Sequence, residues 1–273
     1  MNALTAARRP SVAYLGLHRG VIELKQFFRA RDAVVFTFAQ PAVLLALLGS
    51  VFSGVYEGSR VTAAQYLAPS MIAAGVASTT FVNLGIGIAA DREDGTLKRL
   101  RGMPLPPAAY VLGKVLMVVV VTVAEVVVLL AIGLLLFGVE LPATASRWLV
   151  FGWTFLLGVT ACSFLGIAAS ALASSTRSAG AVVNLPYLVL ELVSGIFFTP
   201  VSALPEPFLT LGALFPLRWM AQGFRSVFLP DTILAQEVVP SWEHGRTAAV
   251  LVAWCLGGLI LCLATLRHRR HRD

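Results

Sequence analysis

The sequence predicts an all-α membrane protein of six spanning helices, and three observations carry that reading: composition, the length of the apolar runs and the placement of basic residues. Of 273 residues, 58% are hydrophobic and only 13% charged, with a mean hydropathy of +0.82; soluble domains carry about a quarter charged residues. A hydrocarbon core about 30 Å thick takes roughly 20 apolar residues to cross as a helix, because each backbone amide must be satisfied within its own segment. Six stretches meet that length: 33–53, 67–90, 111–138, 148–173, 179–199 and 247–266. If the N-terminus is cytosolic, sixteen of the 21 Lys and Arg fall on the cytosolic side, and only Arg60, Arg147, Arg218, Arg225 and Arg246 on the other. The positive-inside rule then puts both termini in the cytosol of a multi-pass protein of the cytoplasmic membrane. That distribution accounts for the net charge of +7 without nucleic acid.

The expected organisation is a cytosolic N-terminal stretch, 1–32, a six-helix membrane domain, 33–266, and a basic tail, 267–273. In the first, Tyr14, Leu17, Val21, Leu24 and Phe28 recur at helical spacing, with Arg19, Glu23 and Arg29 off that face. This predicts an interfacial helix on anionic lipid headgroups, a membrane anchor or a partner contact. The first apolar run follows a long basic lead and lacks a small-residue cleavage site, so it is expected to remain in the mature chain. Pro41 and Pro186 predict kinks, and Gly85, Gly87 and Gly133 predict close helix contacts. Cys162, Cys255 and Cys262 read as packing residues, the latter two standing about 10 Å apart along a helix, too far for a disulfide. His18, His244, His268 and His271 fall outside the spans without ligand spacing, so no metal is expected.

Between the second and third runs stands DREDGTLKRLRGMPLPPAAY, residues 91–110, dense in charges of both signs. Gly95 and Thr96 predict the start of a short helix, with Thr96 as its cap, and Pro104 its end. Leu97 and Leu100 share one face, Lys98 and Arg101 another, while Pro106 and Pro107 suit the first turn of the next span. The reading is an amphipathic peg on the cytosolic side, lying in the headgroups or docking a partner. Further on, Pro200, Pro205, Pro207 and Pro216 break the apolar stretch 200–230, so it is too interrupted to span and is expected to be covered by protein at membrane depth.

Glu93, Gly95, Thr96, Leu97 and Leu100, followed by Met103, Pro104, Leu105, Tyr110, Leu112, Gly113 and Lys114, together resemble the signature between the second and third helices of type-two ABC exporter permeases. Residues 184–228, with Ser194, Gly195, Phe197, Phe198, Leu204, Pro205, Pro216 and Trp219, are similar to the family's fifth helix and the two re-entrant half-helices after it. The resemblance implies a separate cytosolic ABC ATPase, in two copies, docking on Glu93, Gly95, Thr96, Leu97, Arg99, Leu100, Arg101 and Pro104. Leu97 and Leu100 would seat in its groove, while Glu93, Arg99 and Arg101 set register. It also implies a second permease copy, identical or not. ATP and Mg belong to the partner: this chain has no G-x-x-x-x-G-K-[ST] run, since Gly113 and Lys114 are followed by Val115.

Glu125 and Glu191 lie in the middle of spans, where a carboxylate is costly and faces the bundle interior or a cavity. Each reads as a structural hydrogen-bonder or a substrate contact. Asn184, Phe197 and Phe198 share with Glu191 the helix that the resemblance puts at the pathway. So few fixed charges favour a hydrophobic or amphipathic substrate, such as a drug, an antibiotic or a lipid-like molecule, exported from the cytosol or inner leaflet. The rival is a proton-coupled secondary transporter with Glu125 and Glu191 as its relay.

Overall fold

Small residues decide which helix takes the centre of the bundle. The run AAQYLAPSMIAAGVA forms α3 (Ala63–Ala77), in which every residue but Gln65 is buried. It passes without a break through a π-helical turn (Ser78–Asn83) into α4 (Leu84–Glu93), a single column of 31 residues. Membrane helices gain nothing from hiding apolar side chains from lipid, so they associate where small side chains let backbones approach. Four longer helices contact this column: α2 (Arg31–Val51), α6 (Pro107–Phe137), α7 (Ala145–Ser170) and α8 (Thr176–Val193). Helix α1 (Val12–Arg29) lies along α6, and α11 (His244–Arg270) packs on α7. The structure is a computed structural model that describes residues 11–52, 54–56, 59–102 and 106–270; among these, extended backbone pairs only at the isolated bridge between Val55 and Thr62.

Among the described residues, five helices are long and apolar enough to cross a membrane: α2, the α3–α4 column, α6, α7 and α11. The expected sixth, 179–199, is not one of them. Helix α8 starts at Thr176 and ends at Val193, and its 18 residues rise about 27 Å. Gly195 then reverses the chain with φ 74, a left-handed conformation that a side chain resists. Both prolines expected to mark kinks lie inside continuous helix, Pro41 in α2 and Pro186 in α8.

The glycine expectations divide. A Cβ on Gly85 would stand 3.0 Å from the Gly166 carbonyl oxygen, and one on Gly166 would stand 2.5 Å from the Phe81 carbonyl oxygen, so α7 and the π-helical turn meet backbone to backbone. Gly133 is likewise filled by Val139, but Gly87 has only the Lys114 ammonium nearby, at 3.9 Å.

After α8 come a 3-10 turn (Val201–Ala203), α9 (Glu206–Ala213) and α10 (Pro216–Phe228). Helix α10 is buried at every residue against α3, α7 and α11, including Arg218 and Arg225, two of the five cations expected on the non-cytosolic side. Arg225 Nε and Nη2 donate to Glu237 at 2.6 and 2.9 Å, and Nη1 donates to Ser70 Oγ at 3.1 Å. The Tyr66 hydroxyl donates to the same carboxylate at 2.9 Å, and its ring lies 5.2 Å from the guanidinium. Arg218 donates to the Leu209 carbonyl.

Gly166→Ala is expected to destabilise the fold by about 1–3 kcal/mol, the usual cost of overpacking where only backbone can yield. A lowered midpoint of reversible unfolding in detergent and SDS mixtures would register it, with Gly152→Ala, where a Cβ meets open space, as the neutral control.

Candidate functional site

The foot of the 91–110 excursion is built by three consecutive residues, each bound to a different neighbour. Asp91 Oδ2 accepts from the Lys114 ammonium at 2.6 Å and from the Tyr110 hydroxyl at 2.9 Å, both on α6. Arg92 donates to the Ser170 carbonyl at 2.9 Å and to its hydroxyl at 3.3 Å, at the end of α7. Glu93 accepts from the Thr176 backbone N–H at 2.6 Å, at the start of α8. Lys114 carries the chain of bonds onward to Glu23 of α1, at 2.7 Å, and Glu23 also pairs with Arg19. Two cations and two carboxylates thus neutralise one another in a site where Glu23 and Lys114 are buried.

Helix α1 reaches this cluster because its buried face is Gly16, Gly20 and Glu23, set against Leu112, Gly113 and Leu116 of α6. Of its apolar stripe, Tyr14, Leu17, Val21 and Phe28 are exposed, while Leu24 packs against the core. Sequence reading missed the cluster, and its signals were slight: Arg19 and Glu23 at the i,i+4 spacing of a helical ion pair, and Lys114 in the Gly-Lys pair.

Helix α5 (Thr96–Gly102) stands on this foot. Gly95, at φ 70, takes the cap position, its carbonyl accepting from the Arg99 N–H at 2.9 Å; Thr96 is therefore the first helical residue and not the cap. Leu97 is half-buried and Leu100 only 9% exposed, so the apolar face turns into this chain. That corrects the expectation that Leu100 seats in a partner's groove. The outward face is Lys98 and Arg99, the latter also bonded to the Asp94 carbonyl at 3.0 Å. Pro104 and the Arg101 side chain lie outside the described residues.

The second candidate site wraps one turn of α3. Glu125 Oε2 accepts from the Thr79 hydroxyl at 2.7 Å, while Oε1 lies against Gly75 and, among the described residues, has no hydrogen-bond partner. Glu191 Oε1 is 2.6 Å from the Tyr187 hydroxyl, which is also 2.8 Å from the Ala74 carbonyl. The column thus brings both buried carboxylates to the stretch 74–79, where the π-helical turn begins. A cavity of about 10 Å³ between Gln40, Ser78, Tyr187 and Glu191 has room for one water and no more. Asn184 is not part of this site: it is exposed and bonded to the Gly180 carbonyl of its own helix. Phe197 packs against the core beyond the end of α8, and Phe198 is exposed.

Lys114→Met leaves Glu23 and Asp91 short of a cation in a buried site and is expected to cost about 3–5 kcal/mol. The same unfolding midpoint reports it, and Lys114→Met combined with Asp91→Asn should recover part of the loss, because the two residues are directly coupled.

Comparison with known proteins adds the family. Residues 21–229 match the model of the ABC-2 type transporter membrane domain. YvfS of Bacillus subtilis, named as a transport permease, is 23% identical over 205 residues, which cover 75% of this chain and 82% of YvfS. YbhR of Escherichia coli, named as a multidrug ABC transporter permease, is 25% identical over 169 residues, 62% of this chain but only 45% of YbhR. The match takes in α2 through α10 with both candidate sites except Arg19, and the chain belongs to the ABC-2 type transporter family, as a type-two ABC permease.

Proposed function

We propose that this permease is the membrane half of an ATP-driven exporter, carrying a hydrophobic or amphipathic molecule out of the cytosol or the inner leaflet. The observation that carries the reading is α5, a short helix with an outward cationic face whose foot is bonded to α6, α7 and α8 and, through Lys114, to α1. Such a helix suits a partner that must both dock and push. The partner is a separate ABC ATPase, in two copies, working with a second copy of the permease; ATP and Mg act there. In this reading Lys98 and Arg99 meet acidic groups on the ATPase, while Leu97 and Leu100 hold the peg to its own chain.

The accompanying topology has α8 as the sixth span, α9 and α10 folded back into the outer leaflet, and both termini cytosolic in the cytoplasmic membrane. The burial of α10 and the basic excess on one side support it. The substrate path runs by the turn of α3 that Glu125 and Glu191 flank, closed in this conformation, with Phe197 and Phe198 toward the outer end. The multidrug name of YbhR favours a drug-like cargo. A second reading, proton-coupled transport through Glu125 and Glu191, is favoured by one observation, the unpartnered Oε1 of Glu125.

Co-purification with the ATPase encoded nearest to the gene, followed by vanadate-sensitive ATP hydrolysis, separates the two. Lys98→Glu with Arg99→Glu is expected to reduce co-purification and hydrolysis together, by about tenfold for each ~1.4 kcal/mol of lost charge complementarity. If no ATPase co-purifies, and ethidium movement in vesicles follows an imposed proton gradient that Glu125→Gln abolishes, the second reading stands.

A further inference from the structure

Helix α8 begins with an unusually complete cap. Ser175 accepts from the Ser178 N–H at 3.2 Å, and the Ser178 hydroxyl lies 2.9 Å from the Ser175 N–H, a reciprocal box that serves the cap position and the third residue. The N–H of the first helical residue, Thr176, is left over by that box. Its acceptor comes from 83 positions away, the carboxylate of Glu93 at 2.6 Å. A charged acceptor on a helix N-terminus gains from both the charge-assisted bond and the helix dipole. At the other end of the same helix, Tyr187 meets α3 at the Ala74 carbonyl and Glu191 at 2.6 Å, and both line the small cavity. Glu93 is thus bonded to one end of a continuous helix whose other end borders the path.

We propose that Glu93 is a transmission link and not a docking contact: displacement of α5 by the ATPase reaches α8 through the bond between the Glu93 carboxylate and the Thr176 N–H. The inference rests on α5 being the docking helix. Its neighbours share the load differently, since Asp91 leads to α6 and α1 and Arg92 to α7, so a push on the peg is divided among helices at three consecutive residues. Glu93 acts through α8 and is a positioning residue; it need touch neither nucleotide nor cargo.

Thr176→Pro tests the link from its far side. Proline is well suited to the first helical position and removes there both groups by which Thr176 meets Glu93, the N–H and the hydroxyl, and Ser175, at φ −147 and ψ 167, already has the extended conformation that a following proline demands. Wild-type and variant complexes with the ATPase, in lipid nanodiscs, are compared by backbone hydrogen exchange, nucleotide-free against ATP with vanadate. In the wild type, trapping is expected to alter exchange in peptides from both α5 and α8. In Thr176→Pro the ATPase still co-purifies and hydrolyses ATP, the change in α5 remains and the change in α8 is lost. Glu93→Ala should lose the α8 response in the same way, and Glu93→Gln, whose amide oxygen still accepts, should restore it; that pair decides the question should Thr176→Pro fail to accumulate. An α8 response that persists in both Thr176→Pro and Glu93→Ala overturns the link alone. Loss of the ATPase from Glu93→Ala and not from Thr176→Pro makes Glu93 a docking contact and overturns it too. A wild-type chain that binds no ATPase overturns the reading of α5, and this inference with it.

Discussion

Backbones can approach the α3–α4 column because its side chains are small, and every other placement in the molecule depends on that approach. In lipid there is little hydrophobic gain between helices, so close packing and hydrogen bonds hold the bundle. Gly75 leaves space for the Glu125 carboxylate, the Ala74 carbonyl meets the Tyr187 hydroxyl, and Gly166 lets α7 rest on the backbone at Phe81. Larger residues at these contacts, on the column or on α7, would push the partners apart and leave buried polar groups without bonds, a cost water cannot relieve at that depth.

Two charged clusters mark the two ends of this arrangement. One joins Arg19, Glu23, Asp91 and Lys114 at the foot of α5; the other joins Arg225 and Glu237 to Tyr66 and Ser70 beside α10. Buried ion pairs add little net stability, since desolvation offsets most of their attraction, but a wrong pairing leaves a bare charge and is strongly disfavoured. Their consequence here is register. The first fixes α1 on α6 and α6 on α4; the second fixes α10 on α3.

Most of the bundle was legible because a span is a local property: five of six apolar runs are helices of spanning length, and four of the five stripe residues on α1 are exposed, Leu24 excepted. The excursion at 91–110 and its short helix were legible for the same reason, in Gly95 and the paired leucines. What was illegible depends on partners far along the chain. Leu100 turns inward because the protein is there to receive it. Glu93 looks like any surface acid until Thr176 arrives beside it. Arg225 reads as an external charge until Glu237 and Ser70 close around it. The shortness of α8 was a local miss, as was the cap of α5: hydropathy carries on to Thr199, whereas the backbone ends its helix at Val193 and turns at Gly195.

The π-helical turn at Ser78–Asn83 gives the column a change of phase. An α-helix advances about 100° per residue, so one extra residue wound into a turn rotates everything beyond it by about that angle relative to an unbroken helix. The half before the turn addresses chiefly α2, α6 and α10, and the half after it chiefly α7 and α8. A single rod thereby presents two unaligned screws, one keyed to the side that holds α10 and one to the side that holds the foot of α5. A regular helix of the same length would carry one screw from end to end and could not face both sides in this way.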